Sequence, residues 1–320
     1  MKKIVKTMLV TGILALATTV SAEPAKIAIN QFVEHPALNA VSKGFKDDLK
    51  ENGVVAEYRE YNAHGNMGTA NQIATQIASD EPDLILAIAT PSAQACAKVY
   101  DKAPQLADTP MLFSAITDPL AAGLVKDSMH PGPNIIGVSS QMPMDKHLDM
   151  ILRFLPDLKK LGVMYNAGEV NSVSNVKRLK AAAVERHITI IDGPVTNSAD
   201  VYQTAQSLVG KADAIYVPTD NTVVSAFEAV VKVCERTHLP LFSADTDSVK
   251  RGAVAALGFD YYLHGKQTGA MARKILTGTK PEALPVEFQK DLSFHVNPKA
   301  AERMGLVVDK SILDSADILH

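Results

Sequence analysis

Short apolar, β-branched runs alternate with helical stretches along almost the whole chain, and this alternation restricts the fold more than any other feature. Leu84-Ile85-Leu86-Ala87-Ile88-Ala89 is apolar at every position, as a strand covered on both faces must be. Further strand candidates lie at 26–32, 54–61, 111–114, 135–138, 161–165, 188–191, 214–217, 241–243 and 254–257. Helical stretches are predicted between them, over 38–52, 69–79, 92–102, 146–154, 172–187, 199–209, 222–237 and 262–277. Strands and helices in this rhythm form parallel sheets with helices on both faces, the α/β class.

A partial internal duplication divides the alternation in two. Phe113-Ser114-Ala115-Ile116-Thr117-Asp118 returns as Phe242-Ser243-Ala244-Asp245-Thr246-Asp247, and the same spacing carries Thr90 onto Thr219. Each match is a strand ending in hydroxyls and acids, followed by a helix. One ungapped offset in one structural context predicts two related lobes, each with its own parallel sheet.

The first residues bear on the compartment. Lys2, Lys3 and Lys6 precede an apolar stretch from Met8 to Ala17, and Val20-Ser21-Ala22 offers the small residues signal peptidase requires. Residues 1–22 are therefore expected to be a signal peptide cleaved after Ala22. A permanent span needs about 20 apolar residues, more than this segment supplies, and no cysteine follows the cleavage point to carry a lipid. The net charge of −3 comes without a basic block, so nucleic acid finds nothing to grip. Cys96 and Cys234 fall in predicted helices of different lobes, where buried free thiols are expected rather than a disulfide. The chain has no CxxC, no HExxH and no His/Cys cluster at ligand spacing, so neither a metal nor a cofactor is expected.

Ligands of open α/β sheets bind beyond the carboxyl ends of the strands, and the polar residues here collect at those ends. The first lobe offers Asn30 to His35, with Phe32 and Glu34 among them, then Thr90-Pro91-Ser92 and Thr117-Asp118-Pro119. The second offers Asn166, Glu169, Asn171, Ser172, Thr219-Asp220-Asn221 and Asp245-Thr246-Asp247. Two such rims facing each other make a cleft for a small solute. Thr90 as N-cap with Pro91 at the first helical position begins a helix well. The free N–H groups there, with the Thr90 and Ser92 hydroxyls, can hold a carboxylate, although the same tripeptide also reads as a plain cap. Asp220 either caps the helix starting near Thr222 or receives an ammonium, and Asp245 and Asp247 compete for that role. An acid opposite a carboxylate site suits a zwitterion, whose charges must each be paired once desolvated. Phe32, Tyr165 and Phe259 can stack on a ring or simply fill core. Catalysis finds little: Ser92 and Ser114 lie in no GxSxG elbow, and Ser92 with His35 is the only nucleophile–base pair to nominate.

Ile88-Ala89-Thr90-Pro91, Val217-Pro218-Thr219-Asp220-Asn221, residues 243–252 and Gly258-Phe259-Asp260-Tyr261-Tyr262, with Asn166, Glu169, Asn171 and Ser172, together resemble a known group. They look like the substrate-binding proteins of ABC transporters linked to tryptophan and tyrosine uptake, from about Lys26 to the end. The resemblance implies a type I periplasmic binding fold: two Rossmann-like lobes of strand order 2-1-3-4-5, joined by a three-segment hinge. The crossings would lie near 139–141, 258–260 and 292–295. Lobe one would comprise 26–138 with 260–291, and lobe two 141–257 with 294–320. The resemblance also implies a periplasmic monomer, not an enzyme, that captures an L-amino acid, aromatic in kind (Trp, Tyr or Phe), and hands it to an ABC permease of the inner membrane. The carboxylate would lie on Thr90 and Ser92, the ammonium on Asp220 or Asp245, and the ring against Phe32. Two other classes compete: a ligand sensor for a membrane receptor on the same fold, and an exported hydrolase.

Overall fold

The computed structural model describes residues 23–100 and 102–320; the expected signal peptide lies outside them. The first five strands are β1 (Ala25–Gln31), β2 (Ala56–Asn62), β3 (Leu84–Ile88), β4 (Met111–Ile116) and β5 (Ile135–Ser139). The next five are β6 (Lys160–Asn166), β7 (Thr189–Val195), β8 (Ala214–Val217), β9 (Leu241–Ser243) and β10 (Ala255–Gly258). Three short late strands follow: β11 (Glu287–Phe288), β12 (Ser293–Val296) and β13 (Ile318–Leu319). They form two sheets, β2-β1-β3-β4-β5-β11 and β7-β6-β8-β9-β10-β12-β13. Every strand pair is parallel except β10 with β12. Each sheet thus opens with the order 2-1-3-4-5 that the resemblance implied. The duplicated hexapeptides fall on β4 and β9, which hold the same fourth place in their sheets.

Helices cover the sheets. Around the first strands run α1 (Pro36–Glu51), α2 (Met67–Asp80) and α3 (Thr90–Tyr100). The second set comprises α4 (Met144–Phe154), α5 (Val170–Glu185), α6 (Val201–Leu208), α7 (Asn221–Ser225), α8 (Phe227–Thr237) and α9 (Asp247–Lys250). The chain ends with α10 (Tyr261–Leu276), α11 (Pro298–Arg303) and α12 (Lys310–Asp314). All five residues of β3 are buried, as its unbroken apolar run requires. Burial contributes about 1.5–3 kcal/mol for each such large side chain. Cys96 and Cys234 are free and buried, and burial pushes their thiols up to about 11 and about 12.

The helix predicted over 222–237 is broken. Ala226 leaves helical geometry at φ −119°, ψ 30°, separating α7 from α8, and the buried Phe227 restarts the helix. Strand β12, which runs antiparallel to β10, was also not anticipated.

The chain passes between the sheets three times: after β5, between β10 and α10, and between β11 and β12. The second passage returns α10 to the first sheet, where it lies along α1 at very close range. A Cβ added at Gly44 would stand 2.0 Å from the Tyr262 carbonyl oxygen, and one at Gly265 would stand 2.2 Å from the Val41 carbonyl oxygen. Only glycine permits that approach. It fixes the beginnings of α1 and α10 side by side, and both beginnings reach the site.

Candidate functional site

Residues just past the carboxyl ends of strands in both sheets line one cavity of ≈ 30 Å³. The first sheet's side gives His35, Ala37, Leu38, Ala115, Thr117 and Ser140; the second gives Asn171, Thr219, Asp220, Asn221, Val224 and Asp245, and Tyr261 closes it from α10. That volume admits about one or two water molecules, so a larger solute enters only when the two sides part.

Asp220 is held by its own lobe. Its Oδ1 accepts from Val223 N at 2.7 Å, which caps α7, while Oδ2 accepts from Asn166 N and Ser172 Oγ, both at 2.6 Å. Burial and then the neighbouring Glu169 charge push its carboxyl above the ordinary range. Glu169 is the second clamp on α7: it accepts from Thr222 N at 3.1 Å, Thr222 Oγ1 at 2.7 Å and Asn221 N at 3.3 Å. Asn166 adds a bond from Nδ2 to Thr222 Oγ1 at 2.8 Å. Asn166 and Ser172 therefore stand behind the cavity wall, positioning Asp220, rather than on it.

Asp245 is less committed. Its Oδ1 accepts from Asp247 N at 3.0 Å and its Oδ2 from Ser248 Oγ at 2.8 Å. Burial, then the Asp247 charge, raises its carboxyl to about 6. Asp247 itself stays partly exposed and pairs with Lys250 at 3.6 Å, which removes it from the competition. Asn171 lines the cavity with its Nδ2 donating to Thr219 O at 3.1 Å; its Oδ1 is buried with no partner among the described residues.

Several expected positions lie elsewhere. Phe32 is 4% exposed and belongs to the hydrophobic core, because β1 turns it under the sheet end instead of into the cavity. Glu34 is exposed and faces a separate groove shared with Lys43, Lys46 and Glu60. Thr90 opens α3 as its first residue, with the Ala89 carbonyl accepting from Ala93 N at 3.1 Å. Ala89, at φ +76°, is thus the cap in place of Thr90. Pro91 and Ser92 are buried within the first turn, and Ser92 Oγ donates to Asn30 Oδ1 at 3.1 Å. That bond also leaves Ser92 unpartnered with His35, so the nominated nucleophile–base pair is not assembled. Thr90 Oγ1 is buried without a partner among the described residues.

Hydrogen bonds join the sides of the cleft. Thr117 Oγ1 lies 3.3 Å from Thr219 Oγ1, and Ser174 Oγ donates to Asp118 Oδ2 at 2.9 Å. Asp118 is therefore a latch rather than part of the wall. The cavity side of β4 is also braced: Ala115 sits in the left-handed region at φ +58°, where the β4–β5 register shifts. Its N–H donates to His264 Nε2 at 3.0 Å, and Ser114 pairs with Thr268 at 2.8 Å. A side chain in that backbone region is strained, and α10 holds it there.

Of the residues expected from sequence, the structure brings Thr117, Asn171, Thr219, Asp220, Asn221 and Asp245 onto the cavity wall. Sequence reasoning missed Ala37, Leu38, Ala115, Ser140, Val224 and Tyr261, and placed His35 on the rim without a binding role. Two signals pointed to them: Ser140 falls in an expected crossing segment, and Tyr261 lies within a quoted motif.

A sequence profile described as ABC transporter substrate binding protein matches residues 26–319. A tyrosine-binding protein of Clostridioides difficile is 36% identical over 285 residues, covering 87% of this chain and 80% of that one. An ABC domain from Streptococcus pneumoniae, solved in complex with L-Trp, is 32% identical with TM-score 0.87, covering 93% of this chain and 100% of that one. The ligand-free, open structure of a substrate-binding protein with adhesive properties from Clostridium difficile is 38% identical with TM-score 0.68, covering 92% and 98%. The α/β fold with two parallel-sheet lobes is similar to that of type I periplasmic binding proteins. The chain belongs to the ABC transporter substrate-binding protein family.

Proposed function

We propose that this protein captures an aromatic L-amino acid between its lobes and delivers it to an ABC permease of the inner membrane. The carrying observation is electrostatic. Asp220 and Asp245 are buried in one cavity, and of the described residues lining it none is a lysine or arginine. Buried carboxylates without a cation invite one, and the ammonium of an amino acid supplies it. Asp245 is the better receiver, since two donors already occupy it against three on Asp220, and a carboxylate has about four lone-pair sites. Asn171 Oδ1 is a second acceptor. Thr117 and Ser140 on the wall are the proposed carboxylate donors. Relatives that bind tyrosine or are solved with L-Trp support an aromatic side chain.

The lobes are proposed to be 26–138 with 260–291 and 141–257 with 294–320, hinged at the three crossings. This structure superposes better on the L-Trp complex than on the more identical open, ligand-free relative, which supports a closed arrangement here and an open one for entry. The proposed setting is the periplasm, reached with a signal peptide cleaved after Ala22, and the proposed form is a monomer. Native mass spectrometry of protein purified without added ligand tests the reading: a co-purified tyrosine, tryptophan or phenylalanine is expected, and a sugar in its place contradicts it.

Two expected outcomes follow from the geometry. Removing the latch with Ser174→Ala costs about 1 kcal/mol of closed-state stability, so Kd rises about fivefold, and small-angle scattering shows a larger radius before ligand is added. Affinity also depends on pH through Asp245. An ammonium needs the ionised acid, so below about pH 6 binding must first expel a proton, and affinity falls by up to about tenfold per unit. Without solute the sign reverses. The folded state holds that proton between about pH 4 and 6 while the unfolded chain has released it, so stability falls as pH rises through this window. Titration calorimetry and melting curves from pH 4 to 8 check both.

A further inference from the structure

His264 is buried on α10, the helix that the second crossing returns to the first sheet. Its ring stacks on Phe259 of that crossing, with centroids 5.2 Å apart and planes within 15°. Its Nε2 lies 3.0 Å from Ala115 N. A backbone N–H only donates, so Nε2 accepts and the ring's proton is assigned to Nδ1. Burial lowers the imidazole to about 4, so it is neutral, and able to accept, at pH 7.5. Nδ1 has no partner among the described residues. A buried orphan of this kind needs a reason, and the bond on the other side of the ring supplies one.

We propose that His264 is the positioning residue that brings Thr117, in place of Ile116, onto the cavity wall. The internal repeat supplies the comparison. Phe113-Ser114-Ala115 and Phe242-Ser243-Ala244 are the same three residues at matching places in the two sheets. Ala244 keeps the regular ladder: its N–H donates to Val217 O at 2.9 Å, and its φ stays outside the left-handed region. The next residue, Asp245, then faces the cavity. Ala115 instead turns to φ +58°, and the β4–β5 register shifts between Ser114 and Ile116. Ile116, the counterpart of Asp245, goes into the core, and Thr117 reaches the wall one residue later. A bulge inserts one residue, and a slip of one residue exchanges the two faces of a strand. Identical residues take both courses, so local sequence does not choose between them. The acceptor offered to the alanine N–H does: a ladder carbonyl in one lobe, His264 in the other. Only the effect on affinity rests on the amino-acid reading above, in which Thr117 donates to the solute carboxylate.

Solution NMR of the mature chain tests the first link without a variant. His264 is expected as the neutral Nδ1–H tautomer at pH 7.5; the Nε2–H tautomer, which cannot accept from Ala115, overturns the inference. In His264→Leu, backbone carbon shifts should show Ala115 leaving positive φ, and positive φ retained there overturns it whether or not a solute binds. Calorimetric titration with tyrosine, tryptophan and phenylalanine tests the second link. His264→Leu should weaken the tightest of the three about tenfold or more, as losing a hydrogen bond to a charged group does. His264→Gln, whose Oε1 offers an acceptor in nearly the same place, should stay within about threefold of the wild type. Added to Thr117→Val, His264→Leu should cost less than about a further threefold, because the donor it positions is already gone. Equal losses with and without Thr117→Val, or a His264→Gln protein as weak as His264→Leu, overturn the inference. Binding of none of the three by the wild type sinks the amino-acid reading and leaves the NMR results to decide this one.

Discussion

Asparagine in place of Asp245 is expected to weaken amino-acid binding at pH 7.5 by about a hundredfold or more, while the unliganded protein melts no lower than the wild type. Breaking a buried charge pair by removing one partner costs about 3–5 kcal/mol, which is two to three decades or more in Kd. The stability half has the opposite sign. Asp245 is a buried acid that burial holds at about 6, so its charge at neutral pH opposes folding until a ligand arrives. Asparagine keeps its shape without that charge. Asp220→Asn should behave differently, because Oδ1 and Oδ2 accept from Val223 N, Asn166 N and Ser172 Oγ. An amide turns a donor toward one of these N–H groups, and about 2–3 kcal/mol of stability should go with affinity. Melting and calorimetry on the pair separate the acid that receives the ligand from the acid that builds the wall.

Alanine at Gly265 is expected to cost about 3 kcal/mol or more of stability, a larger effect than its single methyl group suggests. The added Cβ would stand 2.2 Å from Val41 O and 2.9 Å from Val41 C. Backbone atoms have no rotamer to retreat into, so α1 and α10 must separate. Overpacking of ordinary cores costs about 1–3 kcal/mol, and contact with main chain belongs at or above the top of that range. The damage should reach the site, since His35 precedes α1 and Tyr261 begins α10, and both line the cavity. Chemical denaturation of Gly265→Ala, compared with Gly278→Ala, checks it. Gly278 at φ +101° has nothing within 4 Å of its added Cβ, so that control reports backbone strain alone.

The parallel sheets were legible because Leu84 to Ile88 admits no exposed face, and the two lobes because the repeat lands on β4 and β9 at matching places in their sheets. The antiparallel β12 was not legible, for four residues at the end of a long connection carry no orientation signal. The break at Ala226 escaped for a related reason: alanine favours helix, and the interruption comes from burying Phe227 and from Asp220 and Glu169 gripping α7. At the site, the residue types were readable and their directions were not. Thr219-Asp220-Asn221 marks a strand end in either case, yet only the bonds from Val223, Asn166 and Ser172 show that Asp220 holds the wall. Leu38 and Val224 look like core until the opposite lobe is placed over them. Phe32 misled in the other direction, because an aromatic residue just past a strand end suits a cleft as well as it suits the core it fills.

The central claim is that a zwitterionic amino acid with an aromatic side chain is the captured solute. Calorimetric titration of the mature protein with each of the twenty amino acids at pH 7.5 tests it most directly. One-to-one binding of tyrosine, tryptophan or phenylalanine, with weaker or no binding of the charged and small ones, is the expected result. Heat from none of those three would contradict it.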